Sequence, residues 1–337
     1  MFHKSLEQMR FFPFFRRKPS LPTQPSLAPD SSGEPPRPTV LRTLLIIYDP
    51  VVEPATGKRL LEYMRWNKVE ALTEGFISDI SQVSSGLVRY QITEKIEVAE
   101  FPVKADGFVY DAQTYLTMWR RTIPPHMPDE ADYHAILNRF DILQRVAKDE
   151  IDEVWLFGFP YAGFYESRMA GPGAFWCNAP PLNHTDAAGR RFVIMGFSYE
   201  RGVGEMLENM GHRAESIMEK TFEKLTGDDN LWKRFTRYDK THQGRAALGN
   251  VHFAPNSERD YDWGNISTVL SESDDWLYNF PDFRGIKRPV TAAEWGHGDT
   301  RKHHLWWMKH FPKTKGRKNG IHHNWWQYIA DPNTVDV

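Results

Sequence analysis

Short apolar segments alternate with helical segments through the first two-thirds of the chain, and this alternation limits the folds that the chain can adopt. Apolar runs rich in branched or aromatic residues lie at 40–50, 87–102, 152–160 and 190–199. Between and after them, segments with helical spacing of apolar residues lie at 68–86, 129–150 and 204–220. This order predicts an α/β fold in which helices flank a largely parallel sheet.

The two ends of the chain depart from this pattern. Residues 18–39, "KPSLPTQPSLAPDSSGEPPRPT", are rich in proline, serine and threonine, a composition that does not form a packed core, so a disordered Pro-rich tail is predicted over 1–39. The α/β core is predicted over 40–225. Residues 226–337 form an irregular region rich in aromatic residues and histidine, which we expect to pack on that core. Whether this region is a separate domain stays open at this stage.

Charge and cysteine content argue against several functions. The chain has 42 basic and 44 acidic residues and a net charge of −2, so no binding to nucleic acid is expected. The basic run at 313–318 is predicted to be a solvated loop. Cys177 is the single cysteine, which excludes an intramolecular disulfide. The sequence has no run of about 20 apolar residues, so no transmembrane segment is expected. The glycine motifs at 56–60 and 202–207 are incomplete, so no nucleotide cofactor is expected.

The segment "GEMLENMGHRAESIMEK" places four ionisable side chains on one helical face. Spaced by three, four and three residues, they are Glu205, Glu208, His212 and Glu215. Apolar residues form a stripe on the opposite side, as in a surface helix, so a solvated face is one interpretation. The other is a cleft. Gly211 supports the cleft, because a glycine here costs the helix roughly 1 kcal/mol relative to alanine and suggests close packing by another segment.

The leading hypothesis from this face is a metal-dependent hydrolase that acts on peptides. His212 and Glu215 would bind a divalent metal, most simply zinc, together with His252 from the polar loop 251–265. Glu208 would act as the base on a water that the metal activates. The stripe differs from the metalloprotease motif HExxH, since it supplies one imidazole instead of two.

Further site residues are expected from two loops. Glu166 lies in the Gly/Pro/aromatic segment 159–181, directly after a predicted strand, and is the candidate for a second catalytic carboxylate. Asp260 and Asp262 follow His252 in the polar loop and are candidates for contacts with the substrate.

The C-terminal region suggests a second hypothesis, a carbohydrate-binding or glycan-active protein. Seven of the 12 tryptophans follow residue 260, and six of the 13 histidines follow residue 296. One helical face is predicted to contribute to substrate binding through His303, Trp306, Trp307 and His310. If their rings were exposed they could stack on sugars, with Glu166 and Glu208 as the paired carboxylates of a glycosidase. The alternative for these rings is a structural role in the core.

Three segments resemble an uncharacterised family of mostly secreted bacterial and fungal proteins. They are "RRFVIMGFSYERGVGEMLENMGHRAES", "HFAPNSERDYDWGN" and "NWWQYI". The resemblance spans roughly residues 40–331 and implies that the three segments act together, but it implies no activity. The N-terminus lacks the features of a signal peptide, which favours the cytoplasm and differs from the secreted pattern of that family. Localisation therefore stays unknown.

The tail leads to a first testable prediction. Truncation before Val40 should leave the thermal midpoint within a few degrees of the full chain, because a Pro-rich segment buries little apolar surface. Limited proteolysis should cut within 18–39 and release the first 17 residues from an intact body. Retention of that N-terminal fragment after cutting would mean that its phenylalanines dock on the body.

Overall fold

A computed structural model describes residues 35–336 of the chain. Most of the predicted tail at 1–39 lies outside the described residues. The strands are β1 (Thr39–Tyr48), β2 (Val51–Glu53), β3 (Lys58–Arg59), β4 (Val88–Val98), β5 (Glu153–Gly158), β6 (Ser167–Ala170), β7 (Phe192–Ser198), β8 (Val269–Ser271), β9 (Arg288–Val290), β10 (Lys313–Lys318) and β11 (Ile321–Asn324).

The helices occur between and after these strands. They are α1 (Leu60–Met64), α2 (Val69–Val83), α3 (Ala112–Trp119), α4 (Tyr133–Arg139), α5 (Ile142–Ala147), α6 (Val203–Phe222), α7 (Leu231–Phe235), α8 (Ser273–Tyr278), α9 (Thr300–Lys309) and α10 (Trp326–Ala330). None of the helices in residues 35–336 combines the length and the apolar character that crossing a membrane requires.

Five strands form the central sheet in the order β4-β1-β5-β7-β6. The first four are mutually parallel, and β6 pairs antiparallel with β7 at the edge. Every residue of β5 is buried, as expected for a central strand with both faces covered. The sequence prediction of an α/β fold with a largely parallel sheet is confirmed.

Helix α2 packs on this sheet through Phe76. The centroid of its ring lies 5.3 Å from that of Trp155 on β5 and 5.4 Å from that of Phe197 on β7. Both contacts join fully or nearly fully buried rings. A helix and two neighbouring strands are therefore held by one aromatic cluster, which also explains why large rings occur in the apolar runs of the sequence.

Buried side chains of the C-terminal region pack into the same hydrophobic core as the sheet. Trp276, Trp307, Trp325 and Trp326 belong to the same apolar cluster as the strands β1, β5 and β7. A second, smaller cluster is built around Trp263 and Trp295. The irregular, aromatic character predicted for this region is confirmed.

The basic run at 313–318 is not a loop, so that prediction was wrong. It forms strand β10, which pairs antiparallel with β11. The connecting residues Asn319 and Gly320 both have positive φ, 53° and 81°. Asn-Gly is the preferred dipeptide of two-residue hairpin turns, and this signal outweighed the charge pattern.

Helix α6 packs against α9 and against the loop after α7. A Cβ atom added at Gly204 would lie 3.0 Å from the backbone nitrogen of Arg301, near the start of α9. One added at Gly211 would lie 2.6 Å from Cγ2 of Val251 and 3.5 Å from Trp307. The two helices therefore run side by side in the same direction. The close packing predicted at Gly211 is confirmed.

A substitution at Gly211 tests this packing. Gly211→Ala should lower the thermal midpoint, because overpacking costs about 1–3 kcal/mol and exceeds the gain in helix propensity of about 1 kcal/mol. Val251→Ala removes the contacting methyl groups. Adding Gly211→Ala to this variant should leave its thermal midpoint unchanged or raise it. A higher midpoint for Gly211→Ala alone would contradict the observed packing.

Candidate functional site

The ionisable face of α6 is covered by the loop that follows Gly249. Val251 packs against Gly211, and the next residue, His252, lies over the helix face. Glu208 is only 5% exposed. The middle of this face is therefore covered, whereas Glu205, His212 and Glu215 stay partly exposed.

Three side chains bring their ligand atoms together on this face. Nε2 of His252 lies 3.1 Å from Nε2 of His212 and 3.3 Å from Oε1 of Glu208. The three ligand atoms all lie within 4.8 Å of one another, so the group could hold a metal ion. In a tetrahedral zinc site with bonds of about 2.0–2.1 Å, neighbouring ligand atoms are about 3.3 Å apart. The two distances from Nε2 of His252 are close to that value.

Nδ1, the second ring nitrogen of each histidine, lies within hydrogen-bond distance of a carboxylate. Nδ1 of His212 lies 3.1 Å from Oε2 of Glu215, and Nδ1 of His252 lies 3.0 Å from Oδ1 of Asp260. The other oxygen of Glu215 accepts a hydrogen bond from the backbone of Val251. A carboxylate in this position keeps the proton on Nδ1 and directs the lone pair of Nε2 towards a metal.

Hydrogen bonds within the cluster shift the pKa values of its ionisable side chains. Burial alone would raise the pKa of Glu208, but hydrogen bonds with His252 and Tyr261 outweigh it and lower that pKa. The hydrogen bond with Glu208 raises the pKa of His252. Burial opposes a charge on His212, yet the hydrogen bond with Glu215 raises its pKa. These carboxylates thus stabilise positive charge on the imidazoles, and a bound cation would displace those protons.

Tyr261 completes the cluster on the solvent side. Its hydroxyl donates to Oε1 of Glu208 at 2.8 Å and lies 3.0 Å from Nε2 of His252. The residue is 51% exposed, and its backbone φ is 57°. This value is unfavourable for residues other than glycine. The sequence analysis did not single out Tyr261, because no sequence pattern shows that the loop returns to α6 at this residue.

Glu166 reaches the cluster from the loop before β6. Its Oε2 lies 3.8 Å from Nε2 of His212 and accepts a hydrogen bond from the side chain of Asn178. The Glu166 side chain is 41% exposed, in contrast to that of Glu208 at 7%. The structure therefore places the two predicted catalytic carboxylates in different surroundings, one buried among the imidazoles and one open to solvent.

A cavity of about 620 Å³ lies next to Glu166, through which it is linked to the cluster. Glu208, His212 and His252 do not belong to its lining. It lies beyond the carboxyl ends of β5 and β7, where α/β proteins commonly bind ligands, and beside the first turns of α6. Glu166, Glu205 and Asn209 belong to its lining. Glu166 therefore faces both the cavity and the cluster.

The remaining predicted residues of the polar loop have different positions. Asp260 holds His252, as described above. Asp262 accepts hydrogen bonds from the backbone of Glu258 and from the side chain of Asn265, at 3.0 and 2.9 Å. Asp262 therefore shapes the loop and does not contact the three ligand residues.

The predicted substrate-binding face of α9 is mostly buried. His303, Trp307 and His310 are at most 4% exposed, and Trp306 is partly exposed. His303 stacks on Trp263 with a centroid distance of 4.7 Å. Of the seven late tryptophans, all except Trp306 are buried. These buried rings offer no open face on which a sugar could stack.

His304 is a neighbour of the cluster that the sequence analysis did not select. It is fully buried, and its Nδ1 lies 2.8 Å from the carbonyl oxygen of Thr300. Burial lowers its pKa to about 4, although the charge of Glu208 acts in the opposite direction. A neutral imidazole therefore lies behind Glu208 at neutral pH.

Comparison of the chain with models of known protein families, with curated proteins and with solved structures gives no match. The resemblance to an uncharacterised secreted family stays a prediction.

A titration with a divalent cation tests the cluster. Zn²⁺ at one hundred times its dissociation constant should stabilise the protein by about 2.7 kcal/mol and raise the thermal midpoint by several degrees. His212→Ala should abolish this rise. His242→Ala, which removes an exposed histidine outside the cluster, is the matched control and should respond as the wild type does. Equal responses of the two variants would show that the ion binds elsewhere.

Proposed function

We propose that the protein is a metal-dependent hydrolase whose zinc ion is bound by Glu208, His212 and His252. The observation that carries this proposal is the convergence of two Nε2 atoms and one carboxylate oxygen beside a cavity. Two imidazoles and one carboxylate are a known ligand set of catalytic zinc, which keeps a fourth position for water or substrate.

The geometry favours a different division of roles from the one predicted from the sequence. Both oxygens of Glu215 already have partners, Nδ1 of His212 and the backbone of Val251. Glu208 instead directs Oε1 to the Nε2 side of the imidazoles. We therefore assign Glu208 as the third ligand and Glu215 as the carboxylate that orients His212.

Glu166 is the best candidate for the general base. A bound zinc ion lowers the pKa of a water ligand towards 7 and polarises a substrate carbonyl. Glu166 lies 3.8 Å from Nε2 of His212 and is open to the cavity, so its carboxylate can take a proton from a water beside the ion. The hydrogen bond from Asn178 holds that carboxylate in place.

Tyr261 is a candidate for stabilising the transition state. Its hydroxyl lies next to Glu208 and His252, while half of the residue stays exposed. In the structure this hydroxyl donates its one proton to Glu208; with Oε1 of Glu208 bound to an ion, it would instead donate to the oxyanion that forms when water attacks a carbonyl group. Attack on an amide or ester therefore fits the arrangement.

The cavity volume limits the size of the substrate. A cavity of about 620 Å³ lies in the range of small-molecule sites, about 300–1,000 Å³. A short peptide, or the end of a longer chain, fits this size. The carbohydrate hypothesis relied on the C-terminal tryptophans, and all of these except Trp306 are buried, so we favour a peptide-like amide.

Two substitutions separate the proposed ligand from the proposed base. Glu208→Gln should weaken zinc binding, whereas Glu166→Gln should retain zinc and lower kcat by about 10²–10⁴-fold on amide or ester substrates, as expected for loss of a general base. Elemental analysis measures the first effect, and turnover of p-nitroanilides and p-nitrophenyl esters measures the second. Glu200→Gln, which changes a nearby carboxylate outside the cavity lining, is the matched control.

Three results would contradict the proposal. Activity that persists after complete removal of metal would exclude a metal-dependent reaction. Unchanged turnover of Glu166→Gln would exclude Glu166 as the base. Iron in place of zinc in the purified protein would point away from hydrolysis, because two histidines and one carboxylate also bind the iron of oxygenases.

A further inference from the structure

Part of the cavity lining is aromatic. The loop after β5 contributes Phe159, Tyr161, Phe164 and Tyr165, and β7 contributes Phe197. Tyr161 and Tyr165 are 41% and 36% exposed. Aromatic and apolar surface of this kind binds the apolar part of a ligand, and its ring faces also attract cations.

Two acidic residues of the cavity are already neutralised by buried cations. Nζ of Lys104, whose side chain is fully buried, donates to Asp129 at 2.7 Å. Arg168 forms an ion pair with Glu130. Asp129 and Glu130 therefore stabilise the cavity wall and leave little free charge for a ligand.

Glu205 and Glu166 are the acidic residues of the lining that lack such a cation. Within residues 35–336, no lysine or arginine forms an ion pair with either of them. One oxygen of Glu205 accepts the backbone N–H of Gly202 at 3.0 Å, and its other oxygen has no hydrogen-bond partner there. Arg201 also belongs to the lining, but its side chain is 61% exposed and directed to Glu200 at 3.9 Å.

Glu205 lies close enough to the cluster to contact the same substrate residue. It precedes Glu208 by three positions on α6, and side chains at this spacing are about 5–6 Å apart at Cβ. A carbonyl group at the cluster and an amino group on the adjacent carbon atom would therefore both be within reach of the protein.

We propose, on the basis of the hydrolase function proposed above, that the cavity selects amides and esters with a free α-amino group and an aromatic or large apolar side chain. Glu205 binds the ammonium group. The rings of the loop after β5 bind the side chain.

Hydroxamates test this selectivity independently of turnover, because each of them chelates the metal through the same group. The probes are phenylalanine hydroxamate, its N-acetyl and N-succinyl derivatives, and 3-phenylpropionyl hydroxamate, measured by calorimetry with the zinc-loaded protein. The free amine should bind about tenfold more tightly than the other three, as expected for one charge-assisted hydrogen bond. Glu205→Gln should remove this preference, and Glu200→Gln should retain it.

The outcomes distinguish this inference from the proposed function. If none of the hydroxamates binds the zinc-loaded protein, the metal centre itself is refuted. Equal affinity of all four overturns the amine selectivity but leaves the centre intact. Tighter binding of the N-succinyl probe would show that Arg201 and the start of α6 select an anion, which also overturns the inference. If Glu205→Gln fails to fold, the probe preference of the wild type alone decides the question.

Discussion

A buried ion pair between Arg213 and Glu153 fixes the orientation of α6, on which the site depends. Nη1 of Arg213 donates to Glu153 at 2.6 Å, and Nη2 donates to the carbonyl oxygen of Ala330 on α10. Burial disfavours the charge of Arg213, but the charge of Glu153 outweighs it and raises the Arg213 pKa. Losing one partner of such a pair typically costs about 3–5 kcal/mol. His212 immediately precedes Arg213 and lies about 100° away around the helix, so anchoring Arg213 against the sheet directs His212 towards the loop that carries His252.

The loop that supplies His252 is held by the same helix. Glu215 orients His212 with one oxygen and binds the backbone of Val251 with the other. Val251 packs on Gly211, where a larger residue would push the loop away. One helical turn therefore presents a ligand, orients it and positions the segment that carries the next ligand, so the cluster and the local packing form together.

The sequence was sufficient for the fold class, because strand and helix periodicities depend on local patterns. It also showed that Glu208, His212 and Glu215 share a face and that Gly211 is packed. It could not show which carboxylate faces Nε2 of His212, since this depends on side-chain conformation and on the loop that covers the helix. Tyr261 was missed for the same reason. The late tryptophans were ambiguous because burial is a tertiary property, and all of them except Trp306 proved to be core residues.

The excess of carboxylates over imidazoles in the cluster favours positive charge there, whether from a proton or from a metal ion. Four carboxylates, those of Glu166, Glu208, Glu215 and Asp260, surround two imidazoles. The two Nε2 atoms lie 3.1 Å apart, so at most one of them carries a proton, and the cluster then has one positive charge against four negative ones. A divalent ion held by two neutral imidazoles would replace that proton and leave less net negative charge. The second-sphere carboxylates that favour the protonated form would therefore favour a bound cation as well.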